Sequence, residues 1–240
     1  MSYLKNKFAK ELLDFSGFDI STISPTPLPI NLKLYIDHGD PVNDPSHYIS
    51  LIGKLNFLIN TRPDISYAVQ TLSQFMQDPK EPHLQALQHV LQYISGTITK
   101  GILLNVSEQL TLQAFSDADW AASPNSRKSV TGYLILLGKS PILWKSKKQS
   151  NVSRSSSDSE YRAMASAASE LTWLVRLLEE LGIQDLKPVT LNCDVTINLF
   201  TKSIPSPHFK HLLSNLGLVT TPNPSLTGVL GILLLLHHDH

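Results

Sequence analysis

Residues 110–120 read LTLQAFSDADW, and this stretch determines how the rest of the chain is interpreted. Its first half alternates apolar and polar residues imperfectly, which is the pattern of a half-buried strand. Asp117 and Asp119 follow directly, and both side chains point to the same face if the strand continues through them. Acids at the end of a central strand are costly to bury unpaired. They therefore either face water, as solvated acids at a strand-to-loop transition, or hold a cation.

Composition limits the classes of protein that the chain can belong to. Its 240 residues fit one or two domains, and an apolar fraction of 42% is enough to build a core. The 20 basic and 20 acidic residues balance, so any surface for nucleic acid must be local. Cys193 is the only cysteine, which excludes a disulfide framework and fits a reducing intracellular compartment, cytoplasm or nucleus. The apolar run 229–236 is shorter than the roughly 20 residues that span a bilayer, so no membrane partner is expected.

The first hundred residues have the apolar spacing of helices. Asp64 is a candidate N-cap for one of these helices, and residues 24–45 form a proline-rich extended connector. His83 and His89 lie six residues apart, so they are expected at the surface and not in a metal pair. The segments with helical spacing are 4–15, 46–59, 64–75 and 83–94.

From residue 101 onward the spacing changes to that of strands. Residues 101–106 and 110–115 are predicted to pair as a hairpin. Ser157 or Asp158 is the expected cap of a long helix that Gly182 ends. The remaining predicted elements are strands 131–137, 142–145 and 189–193 and helix 159–181, which together indicate an α/β fold.

A basic, serine-rich segment follows residue 144. It contains Lys145, Lys147, Lys148 and Arg154. The segment is either a solvated loop or an edge that contacts phosphates, since lysine, arginine and serine side chains commonly meet the nucleic-acid backbone.

Three acids share one kind of position in the predicted fold. Asp117 and Asp194 end strands, and Glu160 opens the long helix, where the helix dipole alone would also favour an acid. In an open sheet, strand ends and helix starts gather at one edge, where acids repel each other unless cations lie between them. Carboxylates suit magnesium or manganese, and two such ions about 4 Å apart can promote phosphodiester hydrolysis. The arrangement predicts a metal-dependent nuclease.

Two long stretches resemble the C-terminal part of a Copia-type LTR retrotransposon Pol polyprotein. They are SLIGKLNFLINTRPDISYAVQTLSQFM at 50–76 and the segment 116–174, which includes SDADW and SSSDSEYRA. The resemblance implies that residues 1–100 are a helical thumb or connection remnant of reverse transcriptase. It also implies that residues 101–204 are an RNase H-like domain, a mixed sheet flanked by helices. Residues 205–240 are then a divergent, poorly ordered tail.

The resemblance also implies an activity and its ligands. RNase H domains cut the RNA strand of RNA/DNA hybrids with two magnesium or manganese ions held by four carboxylates. Asp117, Glu160 and Asp194 match the first three, and Asp119 is the less suitable neighbour. Asn215 stands where the fourth acid is expected.

Other departures from the family pattern also bear on activity. Val195 replaces the asparagine that usually follows the third acid. Asp158 and Asp239 are the only spare candidates worth checking for the fourth acid, and neither is well placed in sequence. The polymerase core is expected upstream of Met1, so the chain is not expected to polymerise DNA. Three functions remain open: an impaired hybrid ribonuclease, a remnant that binds nucleic acid without cutting, and a functionless pseudogene product.

Overall fold

The structure is a computed structural model that describes residues 2–102, 104, 110–186, 188–193, 195–215 and 218–220. The chain divides into two compact units. The first contains the residues up to Ile102 together with those from Ser203 onward, and the second runs from Leu103 to Lys202. In the described ranges, no helix combines the length and the apolar character needed to cross a bilayer.

The first unit is mainly helical. Tyr48 anchors its core, because the buried phenol donates a hydrogen bond of 2.9 Å to the carbonyl of Leu72. The four helices before residue 100 coincide closely with the predicted segments, and their apolar faces pack together. The elements are α1 (Ser2–Ser16), α2 (Pro45–Ile59), a 3₁₀ turn (Pro63–Ile65), α3 (Ser66–Ser73), α4 (Glu81–Gly96), strand β1 (Lys100–Ile102), and, after the second unit, α6 (Ser206–Asn215) and β6 (Leu218–Thr220).

Asp64 is not a helix cap, contrary to the prediction. Its carboxylate is buried and accepts hydrogen bonds from the Arg62 guanidinium, the shortest of them 2.7 Å. The hydroxyl of Tyr93 donates to the same carboxylate at 2.6 Å, and Arg62 also reaches the side chain and carbonyl of Thr97. The acid therefore forms part of a buried ion pair that ties the 3₁₀ turn to α4.

His83 is fully buried, so the prediction of a surface position is wrong. The backbone N–H of Lys80 donates to its Nδ1 at 2.9 Å, and its Nε2 lies 3.0 Å from the carbonyl of Tyr35. Its ring also stacks on Phe75 with centroids 3.8 Å apart. Burial lowers the pKa of His83, so this imidazole is a neutral structural residue.

Among the described residues of 101–106 and 110–115, the predicted hairpin pairing does not form. β1 instead pairs antiparallel with β6, with Gly101 opposite Val219. A partner from the far end of the chain cannot be found from local turn signals. Residues 206–215, in the segment predicted as a poorly ordered tail, form α6, and Phe209 packs edge-on against Tyr93.

The second unit is α/β, with a mixed open sheet flanked by helices. The elements are β2 (Leu112–Asp119), β3 (Val130–Leu137), β4 (Ser140–Lys148), α5 (Ser156–Glu180), β5 (Thr190–Cys193) and a 3₁₀ helix (Val195–Phe200). The strand order is β4-β3-β2-β5, in which β3 is antiparallel to both β2 and β4, and β5 runs parallel to β2. The long helix α5 packs against β2 and β3.

Two boundaries of the second unit differ from the predictions. β4 continues through Lys148, so the first part of the basic segment is strand rather than loop. The cap of α5 is Ser155, whose hydroxyl accepts the N–H of Asp158 at 3.1 Å. Asp158 does not cap the helix because its carboxylate accepts from the Arg154 N–H and from Arg162. Gly182 adopts a φ of +87° and ends the helix as predicted.

Candidate active site

Strand β2 extends through both aspartates of the SDADW motif. Asp117 is buried and Asp119 half-buried, and their even spacing places them on the same face of the strand. The sequence left open whether the strand reached this far. The acids are therefore partly withdrawn from water, which is unfavourable without a compensating charge or hydrogen bond.

Thr201 supplies such a hydrogen bond. Its buried hydroxyl donates to Oδ2 of Asp117 at 2.5 Å, from the end of the 3₁₀ helix. Gly132 makes this approach possible, because it lies opposite Asp117 on β3. A Cβ at Gly132 would lie 2.7 Å from Cβ of Phe200 and 2.8 Å from Cγ2 of Thr201. The glycine thus allows the 3₁₀ segment to lie directly over the sheet beside the acid.

Glu160, in the second turn of α5, meets the same end of β2. Its carboxylate accepts a hydrogen bond from the backbone N–H of Ala118. Burial raises the pKa of Glu160, and the negative charge of Asp117 raises it further. Two of the three predicted acids, Asp117 and Glu160, are therefore close enough to repel each other.

Asp119 and Lys202 complete the charges at this end of the sheet. Burial raises the pKa of Asp119, and the charge of Asp117 adds to the effect. The positive charge of Lys202 lowers the pKa of both Asp119 and Glu160, but both pKa values remain above their ordinary values. The cluster of Asp117, Asp119, Glu160 and Lys202, which we term the carboxylate cluster, carries more formal negative than positive charge.

The third predicted acid, Asp194, lies outside the described residues. Its neighbour Cys193 ends β5 opposite Ser116, one residue before Asp117, with the two side chains 3.8 Å apart. Among the residues that the structure describes, no three histidine, cysteine, aspartate or glutamate side chains converge closely enough to hold a metal ion.

Asp158, one of the two acids considered for the fourth position, does not join the cluster. Asp158 is half-buried, and hydrogen bonds from the Arg154 backbone and the Arg162 guanidinium lower its pKa. Asp239 and the side chain of Asn215 are outside the described residues. Asp158 therefore forms an ion pair with Arg162 and is not part of the carboxylate cluster.

The four basic residues predicted to contact nucleic acid do not share one face. In β4, Lys145 and Lys147 lie on one face of the sheet and Lys148 lies on the other. Arg154 lies in the loop before α5. Nζ of Lys145 lies 3.8 Å from Oε1 of Glu170, a partly buried ion pair with α5. Burial lowers the pKa of Lys148, and the nearby charge of Lys128 lowers it further.

Several residues of the site were not found from the sequence. Thr201 and Lys202 carry no local signal, because their role depends on a contact with a strand far away in sequence. Gly132 does carry one, since a glycine inside a strand often marks a close approach of backbone. Lys128 was likewise missed, because its neighbour Lys148 comes from the adjacent strand.

Comparison with known proteins gives the family. Over 169 residues the chain is 47% identical to the retrovirus-related Pol polyprotein from transposon RE1 of Arabidopsis thaliana, matching 70% of this chain and 12% of that polyprotein. It is 42% identical over 170 residues to an uncharacterized mitochondrial protein of Arabidopsis thaliana, matching 70% of each chain. The chain belongs to the family of retrovirus-related Pol polyproteins of transposons.

The relationship to retrotransposon Pol polyproteins extends beyond the two stretches at 50–76 and 116–174. The Pol polyprotein from transposon TNT 1-94 of Nicotiana tabacum is 32% identical over 221 residues, matching 87% of this chain and 16% of the polyprotein. The chain thus corresponds to a small share of the length of its Pol relatives. No protein-family model matches it. No solved structure matches it either. The predicted resemblance to a retrotransposon Pol polyprotein is confirmed, while the Copia type remains a prediction.

Proposed function

We propose that the second unit is an RNase H-like domain that hydrolyses the RNA strand of RNA/DNA hybrids with divalent cations, and that its cleavage is impaired. The observation that carries the proposal is the meeting of Asp117, at the end of β2, with Glu160, in the second turn of α5. A mixed sheet with β5 parallel to β2 is compatible with this class of domain.

The chemistry of the donor set fits Mg²⁺ or Mn²⁺. Asp117 and Glu160 offer hard oxygen ligands, which these cations prefer. Burial is the main cause of the raised pKa values of Asp119 and Glu160, and the charge of Asp117 adds to both, so a nearby divalent cation would stabilise the ionised carboxylates. Asp117 and Glu160 would hold the ion, joined by Asp194 if the resemblance extends to that position. When bound, such ions lower the pKa of water and stabilise the leaving oxygen in phosphodiester hydrolysis.

The chain's own residues would orient this chemistry. Thr201 fixes one oxygen of Asp117, and the Ala118 N–H fixes the carboxylate of Glu160. Lys202 supplies a positive charge beside the acids, where a phosphate could be attracted. These contacts reduce the rearrangement needed when the substrate binds.

The proposed impairment rests on the resemblance at two positions, Asn215 and Val195. Asn215 stands where the family has its fourth acid, so one negative ligand is missing. Loss of about 4 kcal/mol of transition-state stabilisation slows a reaction about a thousandfold. We therefore expect cleavage to be very slow in the chain as it stands.

A hybrid-cleavage assay with Mg²⁺ tests this proposal. Native protein should cut an RNA/DNA hybrid slowly, and Asp117→Asn should abolish the cutting. Asp158→Asn is the matched control, because it removes an acid outside the carboxylate cluster. Rapid cutting by the native chain that Asp117→Asn abolishes would contradict the impairment but leave the proposed site intact. Cutting that persists in Asp117→Asn would contradict the site itself.

Binding without cleavage is a second candidate function. The proximity of Lys128 to Lys148 favours it, because two like charges are held near each other where a phosphate would stabilise both. This function predicts that hybrid affinity falls steeply as salt concentration rises, while no cleavage products form. Loss of binding in Lys128→Gln and Lys148→Gln, with Asp117→Asn unaffected, would favour it over the first candidate.

A further inference from the structure

Trp120 lies directly beside the carboxylate cluster. It follows Asp119, the last residue of β2, and 46% of its surface is exposed. Its indole N–H donates a hydrogen bond of 3.1 Å to the carbonyl of Ser153. The polar group of the ring is therefore engaged by the protein, while much of the apolar surface remains accessible. Tryptophan in this arrangement is well suited to an interface.

The backbone after Trp120 is held in an unfavourable conformation. Ala121 has a φ of +54°, in the left-handed region that residues with a side chain rarely adopt. Its N–H donates to the hydroxyl of Ser129 at 3.1 Å, and Ser129 is fully buried. Such a conformation persists only where surrounding contacts determine it, and here those contacts fix the direction in which the indole leaves the sheet.

Gln149 connects the anchor of the indole to the helix that carries Glu160. Its side-chain amide accepts a hydrogen bond of 2.7 Å from the Ser153 hydroxyl. The same amide donates at 3.0 Å to the carbonyl of Ser159, immediately before Glu160, and at 3.0 Å to a threonine of β3. One side chain therefore positions both the loop that orients the indole and the turn that carries the acid.

Positive charges flank both anchors of this aromatic residue. Lys128 precedes Ser129, and Arg154 follows Ser153. An exposed ring whose two anchors each adjoin a basic residue in the chain fits a nucleic acid, since contacts with aromatic side chains and attraction of phosphates act together in such proteins. Single exposed apolar residues are common on surfaces, so the distinguishing features here are the fixed direction and the position beside the acids.

We propose that Trp120 contacts the substrate, and that its indole packs against the sugar and base edge of one nucleotide of a hybrid bound at the carboxylate cluster. Helices that contain RNA present sugars and base edges in a wide, shallow minor groove, where a flat ring can pack without base flipping. This inference rests on the proposed function, because it assumes that a hybrid binds at the cluster.

Binding of a fluorescein-labelled RNA/DNA hybrid to the full chain tests the inference, with Ca²⁺ in place of Mg²⁺ to limit cutting. Fluorescence anisotropy should give a dissociation constant about tenfold higher for Trp120→Ala, within the range measured for loss of aromatic stacking. Trp173→Ala is the matched control: this tryptophan of α5 is also exposed, at 37%, and its loss should leave the affinity unchanged.

Two further variants separate stacking from folding. Trp120→Phe keeps a flat ring and Trp120→Leu does not, and both lose the bond to Ser153. The phenylalanine variant should bind the hybrid several-fold more tightly than the leucine variant, with equal thermal unfolding temperatures. Equal affinities for the two, or native affinity in Trp120→Ala, would overturn the inference alone. Failure of the native chain to bind any hybrid would overturn the proposed function together with it.

Discussion

The hydroxyl of Thr201 donates a hydrogen bond of 2.5 Å to Oδ2 of Asp117, although the two residues lie 84 positions apart in the chain. The bond joins the end of the 3₁₀ helix to the strand that carries the SDADW motif. It stabilises a buried carboxylate that also lies close to Glu160. The contact therefore links the packing of the second unit to the charge of its candidate site.

Removal of this hydroxyl should destabilise the second unit. Thr201→Val keeps the shape of the side chain but leaves the carboxylate without its donor, and hydrogen bonds to charged groups contribute about 1.5–3 kcal/mol. Urea unfolding should show a loss of this size. Thr201→Ser keeps the hydroxyl, so its free energy of unfolding should fall much less. Equal losses of unfolding free energy in the two variants would mean that packing, not the hydrogen bond, stabilises the contact.

A side chain at Gly132 should displace the 3₁₀ segment. Gly132→Ala places a Cβ 2.7 Å from Cβ of Phe200, and overpacking of this kind costs about 1–3 kcal/mol. Gly53→Ala is the control, because nothing lies within 4 Å of its added Cβ and alanine favours the helix that contains it. Thermal unfolding should show a lower temperature for the first variant and an unchanged or higher one for the second. The reverse order would contradict the close approach.

The contacts of Thr201 with Asp117 and of Gly132 with the 3₁₀ segment were not predicted from the sequence. Apolar spacing located the helices and the main strands, because each element's own face determines that pattern. The predicted roles of Asp64 and His83 were wrong, since their partners, the buried Arg62 guanidinium and the backbone carbonyl of Tyr35, are not identified by spacing. The pairing of β1 with β6 was missed because the partner strand follows the whole second unit.

The same limit applies within the candidate site. The sequence predicted that Asp117 and Glu160 would gather at one edge, and the structure places them within electrostatic reach. Their roles as metal ligands, like that of Asp194, remain predictions. Thr201 and Lys202 depend on the path of the chain after β5, which no local pattern indicates.

The buried ion pair of the first unit should be sensitive to acid. Burial alone would raise the pKa of Asp64, but the charge and hydrogen bonds of Arg62 and the Tyr93 hydroxyl outweigh it and lower the pKa. A carboxyl whose folded pKa is lowered stabilises the fold above its unfolded value of about 3.9. This contribution should be lost as pH falls below that value, as circular dichroism during acid titration can measure.

Asp64→Asn gives the matching mutational measurement. It leaves a buried guanidinium without its counterion, which should cost about 3–5 kcal/mol and remove the acid sensitivity attributed to this pair. Asp78→Asn is the control, since the pair that Asp78 forms with Lys80 is largely exposed on the acid's side and contributes about 0–1 kcal/mol. Similar losses of unfolding free energy in both variants would contradict the assignment.

Neutralising Glu160 should stabilise the fold at neutral pH. Burial, followed by the charge of Asp117, raises the pKa of Glu160, so ionisation of this acid opposes folding. The free-energy cost of ionising Glu160 in the folded protein is absent below its ordinary pKa of about 4.3. This cost appears as the pH rises through the pKa of the folded state. Glu160→Gln should therefore unfold at a higher temperature than the native chain at pH 7 and at an equal one at pH 4. A lower temperature at pH 7 would contradict the charge repulsion.

The proposed function depends on Asp117 and Glu160 together holding a divalent cation. Isothermal titration calorimetry of the full chain with Mn²⁺ measures this binding. We expect saturable binding to the native chain, loss of that binding in both Asp117→Asn and Glu160→Gln, and retention in the control Asp158→Asn. Native affinity in the first two variants, or no saturable binding of Mn²⁺ to the native chain, would contradict it.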